Sequence, residues 1–208
     1  MHILIADDHT IIRKGLKQIL SDEFPSAVIE EAEDGESVLQ KVIAGGWDVI
    51  ICDLNMPGRS GLEVVHEIKK HFPALPVLIL SMHTEEQYAI RSLKAGASGY
   101  LNKSQAPQEL VTAIQLVLQG RKYITAATAE KLAIEMLDNS GKQPHELLSD
   151  REFDVLKLIA SGKAVSEIAE ILCLGITTIS TYRARVLAKM NMKTNSELTR
   201  YALENKLV

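Results

Sequence analysis

Cysteine is scarce in this chain, and the two that occur, Cys52 and Cys173, lie far apart. They fall in stretches that read as different domains, which disfavours a disulfide and leaves no cysteine metal spacing. No apolar run reaches the roughly 18 residues that a membrane-crossing helix needs. Met1-His2-Ile3 begins no signal-peptide pattern, and the mean hydropathy of +0.03 is close to neutral. The expectation is a soluble, cytoplasmic protein with no membrane partner. The six histidines are scattered without HxxxH-type spacing, and the chain holds no internal repeat or long low-complexity tract.

What is present is enough for real cores. The sequence is 46% hydrophobic over 208 residues, long for one ordinary domain of ~100–150 residues, so two domains are expected. Charge divides the same way. Residues 1–120 carry 10 Lys/Arg against 16 Asp/Glu, whereas residues 145–208 carry 9 against 8. An acidic front and a slightly basic back suit different partners.

The front is organised around Val49-Ile50-Ile51-Cys52-Asp53. Four apolar residues ending in one carboxylate are too short for a helix and fit a strand buried on both faces, as in a parallel sheet. Asp53 then stands at the strand's carboxyl end, where open α/β sheets bind ligands. Further strands are expected at His2–Ala6, Ala27–Ile29, Pro76–Leu80 and Ala97–Leu101, alternating with helical patterns that include Leu62–His71, Glu85–Lys94 and Pro107–Leu118. This is the pattern of a doubly wound parallel sheet, with a flavodoxin-like strand order of 2-1-3-4-5. In that order Asp7, Asp8, Asp53, Ser81 and Lys103 all fall at strand ends and converge. Three crowded carboxylates repel one another unless a cation joins them, and Mg2+ fits, since it takes oxygen ligands and keeps several waters.

This constellation closely resembles the receiver domain of bacterial two-component response regulators. The resemblance implies that Asp53, followed by Met56-Pro57 and Gly61, is a phosphoacceptor served by a sensor histidine kinase. It implies that Asp7 and Asp8 hold Mg2+ together with Asp53 and the backbone carbonyl of Asn55. It also implies that Ser81 hydrogen-bonds the phosphoryl group, that Tyr100 turns inward on activation, and that Lys103 pairs with the phosphoryl oxygens. The family usually places proline in a cis peptide after this lysine; here Ser104 follows, and a non-proline cis bond costs ~2.5–4 kcal/mol.

Residues 121–144 read as a linker. Thr128–Leu137 has a helical stripe of Leu132, Ala133, Met136 and Leu137, and residues 138–144 are loop chemistry. Beyond them Ser149-Asp150-Arg151-Glu152 and Thr194-Asn195-Ser196-Glu197 are capping-box signatures. Four helices are expected, with a short helix, a turn at Cys173-Leu174-Gly175 and a longer helix through Met190, the build of a helix-turn-helix.

This half resembles the LuxR-type DNA-binding domain of the NarL/FixJ subfamily, through Leu148–Glu152, Glu167-Ile168-Ala169, Thr178-Ile179, Arg183 and Lys189. It departs from that pattern at Val165, Ser166, Gly175 and Tyr182. On a helical wheel Ile176, Ile179, Val186, Leu187 and Met190 share one face, and Thr177, Thr181, Ala184, Arg185 and Ala188 the other. No acid lies between Glu170 and Glu197. Thr178, Ser180, Thr181, Ala184, Arg185 and Lys189 are therefore the candidate contacts to double-stranded DNA, with Arg185 and Lys189 nearer phosphate. Arg183 falls on the core side, where Glu152 is its expected partner. The resulting expectation is a receiver over 1–120 and a DNA-binding domain over 145–208, acting as a homodimeric transcription factor when phosphorylated. Two other classes compete. A phosphatase or phosphotransferase with an aspartyl-phosphate intermediate lacks its usual second acid, since Asn55 stands there; an adaptor would use the helical half to bind protein or RNA.

Overall fold

Five strands lie parallel in one sheet: β1 (His2–Ala6), β2 (Val28–Ala32), β3 (Val49–Asp53), β4 (Val77–Ser81) and β5 (Gly99–Asn102). Their order across the sheet is β2-β1-β3-β4-β5, as the sequence pattern requires. The computed structural model describes residues 1–83, 85–137 and 143–208. It divides into two units, Met1–Leu137 and Asp138–Val208.

Apolar strands with helices on both faces bury both sides of the sheet. On one face Ile3, Ile5, Val49, Ile51, Leu78, Leu80 and Leu101 meet Leu16 and Leu20 of α1 (Thr10–Glu23) and Leu110, Ala113, Ile114 and Val117 of α5 (Ala106–Leu118). Because successive residues of a strand point to opposite sides, Leu4, Ile50 and Ile79 serve the other face, where α2 (Gly35–Ala44), α3 (Gly61–His71) and α4 (Glu85–Lys94) run; all three side chains are fully buried. Only β2, at an edge, alternates exposed with half-buried positions before its buried last residue, Ala32. It runs on to Ala32, beyond the apolar run that marked it, because Glu30 and Glu31 find cationic partners on opposite faces, Lys41 of α2 for the first and Arg13 and Lys17 of α1 for the second.

Local signals start the helices where polar side chains can take up free N–H groups. Asp34 and Ser60 each accept from the backbone three residues on, at Ser37 and Glu63, and both return bonds are made. Gly61 admits no side chain: a Cβ there would lie within 2.2 Å of the Asp53 carbonyl oxygen. That close approach seats the start of α3 directly on the end of β3. After α5 the chain returns to the sheet, where Tyr123 bridges Gly99 and donates its hydroxyl to Glu109 at 2.6 Å. A sixth helix, α6 (Ala126–Leu137), packs on α4. Of its expected stripe, Leu132 is half-buried and Ala133 exposed, while Thr128 is the buried contact. The side chains of Met136 and Leu137, and residues 138–142 of the loop expected over 138–144, lie outside the described residues; its last residue, Pro144, opens a 3-10 turn over Pro144–Leu147.

The second unit holds α7 (Asp150–Ala160), α8 (Val165–Ile171), α9 (Ile176–Lys189) and α10 (Asn195–Glu204) around Phe153, Leu156, Ile168, Ile179, Val186 and Leu198. The Ser149–Glu152 capping box forms in full. The one at Thr194 is half made, since Glu197 turns its carboxylate to the Lys193 N–H instead. Helices α8 and α9 meet at 110°. The residue that makes this turn is Cys173, in the left-handed region at φ 52, whereas Gly175 is extended and serves as the N-cap of α9.

Candidate functional site

Register fixes the geometry at the carboxyl edge. Ala6 pairs with Cys52, so Asp7 emerges beside Asp53. Asp53 pairs with Leu80, and Ser81 with Asn102, which places Ser81 and Lys103 one step beyond. The Lys103 ammonium then lies 2.7 Å from Asp7 Oδ2 and 2.8 Å from Asp53 Oδ2. Lys103 thus bridges two buried acids.

Asp53 is only 3% exposed, and burial pushes its carboxyl up to about 6 in spite of Lys103. Burial works on Lys103 in the opposite sense, but Asp53 and Asp7 outweigh it and hold the ammonium above the ordinary lysine range. One cation does not finish the job. Asp7 Oδ2, although within ion-pair distance of Lys103, makes no well-angled hydrogen bond and has no other partner. A buried oxygen whose one cationic partner is shared with Asp53, beside two further carboxylates, suits a hard cation. One ligand atom from each of Asp7, Asp8, His9 and Asp53 lies within 4.8 Å of the others.

Two side chains that the strand-end pattern missed hold this edge in place. Arg13, nearly buried, donates to the Asp7 carbonyl at 2.6 Å and pairs with Glu31 at 3.2 Å. His83 connects the strand ends. Its N–H donates to Ser81 Oγ at 3.0 Å, and its carbonyl accepts from the Tyr100 hydroxyl at 2.8 Å and the Asn102 amide at 2.9 Å. Its ring contacts the Asn55 amide at 3.0 Å and stacks on Tyr88. Tyr100 is therefore turned inward. The Lys103–Ser104 peptide is trans, and Ser104 bonds back to the Asn102 side chain.

In the second unit α9 buries Ile179 and Val186, with Met190 buried just past its end, and exposes Thr177, Thr178, Ser180, Thr181, Ala184, Arg185 and Ala188. The wheel misplaced Ile176, which is 58% exposed because the first turn of α9 extends past the core. Thr181 returns its hydroxyl proton to the Thr177 carbonyl at 2.9 Å, leaving its oxygen as an acceptor. The expected Arg183–Glu152 pair does not form. Arg183 reaches Asn195 at 2.7 Å, and Glu152 takes Lys189 at 2.6 Å, because the end of α9, not its middle, passes the start of α7. Arg185 has no hydrogen bond or ion pair among the described residues, so its guanidinium is open to an anion.

A doubly wound sheet that brings two acids and a lysine together at its carboxyl edge, followed by a helix-turn-helix, is the build of a switch joined to a nucleic-acid reader. The comparisons agree along both halves. Residues 3–115 match the response regulator receiver domain, and residues 146–202 match the bacterial regulatory proteins of the luxR family. The chain is 37% identical to the oxygen regulatory protein NreC of Staphylococcus carnosus, over all of this chain and 99% of that one. It is 35% identical to the response regulator UvrY of Escherichia coli K12, over all of this chain and 95% of that one. A solved structure of RcsB from Salmonella enterica serovar Typhimurium, bound to promoter rprA with the phosphomimetic BeF3-, covers 97% of this chain and 98% of its own at 29% identity and a TM-score of 0.62. The chain belongs to the response regulators of the NarL/FixJ kind, transcriptional regulators with a receiver domain and a LuxR-type helix-turn-helix.

Proposed function

We propose that Asp53 accepts a phosphoryl group from a sensor histidine kinase and that this switches dimerisation and sequence-specific DNA binding. The observation that carries the reading is the Lys103 bridge between Asp53 and Asp7 at the sheet's carboxyl edge. In the transfer an Asp53 oxygen attacks phosphorus, a new O–P bond forms, and the bond from phosphorus to the kinase histidine nitrogen breaks, returning its electron pair to the imidazole. A carboxylate is a weak nucleophile, so the work lies in positioning and charge neutralisation. Lys103 stands ready to hold the phosphoryl oxygens, and Ser81 Oγ, fixed by the His83 N–H, offers them a hydroxyl. Arg13 anchors the Asp7 backbone.

Asp7, Asp8, Asp53 and the Asn55 carbonyl would hold Mg2+; three clustered carboxylates with the Lys103 ammonium shared between two of them, and the all-oxygen donor set, support that assignment. Bound there, Mg2+ supplies the positive charge that keeps Asp53 ionised and offsets the incoming phosphate. Tyr100 and His83 join the Ser81 end of the site to β5 and α4, the face whose repacking favours a homodimer. On the DNA side α9 enters the major groove. Thr178, Ser180, Thr181 and Ala184 lie toward the bases, and Arg185 toward phosphate. Lys189 adds to the phosphate side only with the ammonium protons that Glu152 leaves over. The receiver is read as 1–120, the linker as 121–144 and the DNA-binding domain as 145–208, in a cytoplasmic protein; among the described residues no single helix is long and apolar enough to cross a membrane.

A small phosphodonor with Mg2+ tests the reading. Wild-type protein should incorporate one phosphoryl group, gain mass in sedimentation and bind duplex DNA more tightly, while Asp53→Asn should do none of these. Incorporation by Asp53→Asn at the wild-type rate would falsify the acceptor assignment.

A further inference from the structure

His9 stands at the carboxyl edge without a part in the phosphoacceptor reading. It is the N-cap of α1, yet its ring caps nothing. Instead Nδ1 lies 2.7 Å from Asp8 Oδ1 and 3.2 Å from Asp7 Oδ1. Its backbone N–H donates to that same Asp7 oxygen at 2.8 Å, which fixes the root of the ring against the acids. A ligand atom from His9 thus belongs to the four that fall within 4.8 Å of one another. The charge balance marks the cluster as suited to a cation: Asp7, Asp8 and Asp53 meet there, and the Lys103 ammonium is shared between Asp7 Oδ2 at 2.7 Å and Asp53 Oδ2 at 2.8 Å.

We propose that His9 is a further metal ligand, and that it turns an all-oxygen site into a mixed oxygen and nitrogen site favouring transition cations such as Mn2+ and Ni2+ over Mg2+. This rests on the reading of Asp7, Asp8 and Asp53 as a cation site. Mg2+ is hard, prefers oxygen and keeps its waters, so exchanging one water for imidazole gains it little. Affinity for sites with nitrogen donors rises from Mn2+ to Ni2+, so the same exchange favours those ions. The ring is free to turn. The His9 side chain is 64% exposed, and its ring lies against the two neighbouring acids, which are ligands themselves. A cation settling between them replaces those contacts and leaves the rest of the fold untouched.

The untagged full-length protein and His9→Ala are loaded with Mn2+ and read by electron spin echo envelope modulation, which detects nitrogen bound directly to the ion. Wild-type protein should show that nitrogen, its frequency should shift on labelling histidine with 15N, and it should vanish in His9→Ala while Mn2+ still binds. By calorimetry His9→Ala should weaken Ni2+ about tenfold, the low end of what losing even an outer partner costs a metal site, and leave Mg2+ unchanged. Alanine at this cap removes no capping bond, so the fold is retained. Mn2+ held in wild-type protein with no histidine nitrogen, or with one that persists in His9→Ala, overturns the proposal and leaves the acidic site standing. Failure of every divalent ion to bind overturns the cation reading beneath it.

Discussion

Replacing Lys189 with alanine strips Glu152 of its charged partner while leaving the carboxylate inside the second unit. Removing one partner of a fully buried pair costs about 3–5 kcal/mol, and of an exposed pair about 0.2–1 kcal/mol. This pair is mixed, with the Glu152 side chain 4% exposed and that of Lys189 42%. Glu152 also keeps the Ser149 N–H at 2.8 Å. A loss of about 1.5–2.5 kcal/mol follows, between those limits and in the range of one hydrogen bond to a charged group. The pH dependence has a definite sign. Burial alone would raise Glu152, but the bonds from Lys189 and Ser149 outweigh it and hold the carboxyl below its usual range. A carboxyl held low when folded adds stability that is present above its unfolded pKa and lost as pH falls through its folded pKa. The difference between wild type and Lys189→Ala should therefore be full at neutral pH and close in acid. Hydrogen exchange at the α7 and α9 amides of the full chain measures it, and Lys189→Met separates lost charge from lost packing. If exchange is unchanged while the salt slope of DNA binding falls by ~1, Lys189 is a phosphate contact and not a strut.

Gly61→Ala should lower the melting temperature of the receiver and slow phosphorylation. Its Cβ meets the Asp53 carbonyl at 2.2 Å, and overpacking of this kind costs about 1–3 kcal/mol; an unchanged melting temperature would refute the close-approach account. Cys173→Gly should stabilise the second unit by up to about 1 kcal/mol, since a side chain in the left-handed region is strained and glycine is not, as chemical denaturation would show. Thr181→Ala should change base preference at one position of each half-site and leave the salt slope alone; binding to cognate and scrambled duplexes over a salt series decides it.

Much of the receiver was legible because its strands are apolar runs with chemistry at one end. Alternating strands and helices imply parallel pairing, parallel pairing aligns the carboxyl ends, and Asp7, Asp53 and Lys103 meet as a consequence, with Ser81 on the same edge. The capping box at Ser149 was legible and the one at Thr194 was half right, whereas those at Asp34 and Ser60 went unmarked. Arg13 and His83 were not legible, because their roles run through backbone carbonyls that no sequence pattern marks. The partner of Glu152 was misassigned because a wheel gives the direction of a residue around α9 but not its height along α7. The turn at Cys173-Leu174-Gly175 was legible, but not that Cys173 takes the left-handed conformation, because glycine, its usual occupant, stands two residues on and caps the next helix instead.

The contact of α6 with α4 has a cost for any other occupant of that surface. A second receiver or another protein that covers the same part of α4 enters as a competitor of a segment permanently tethered beside it. Its apparent affinity is its intrinsic affinity scaled by the fraction of molecules in which α6 has let go. Mutations in residues 126–134 that never touch the incoming partner would thus tune how readily it binds, and the tether would set a threshold concentration below which the surface stays closed.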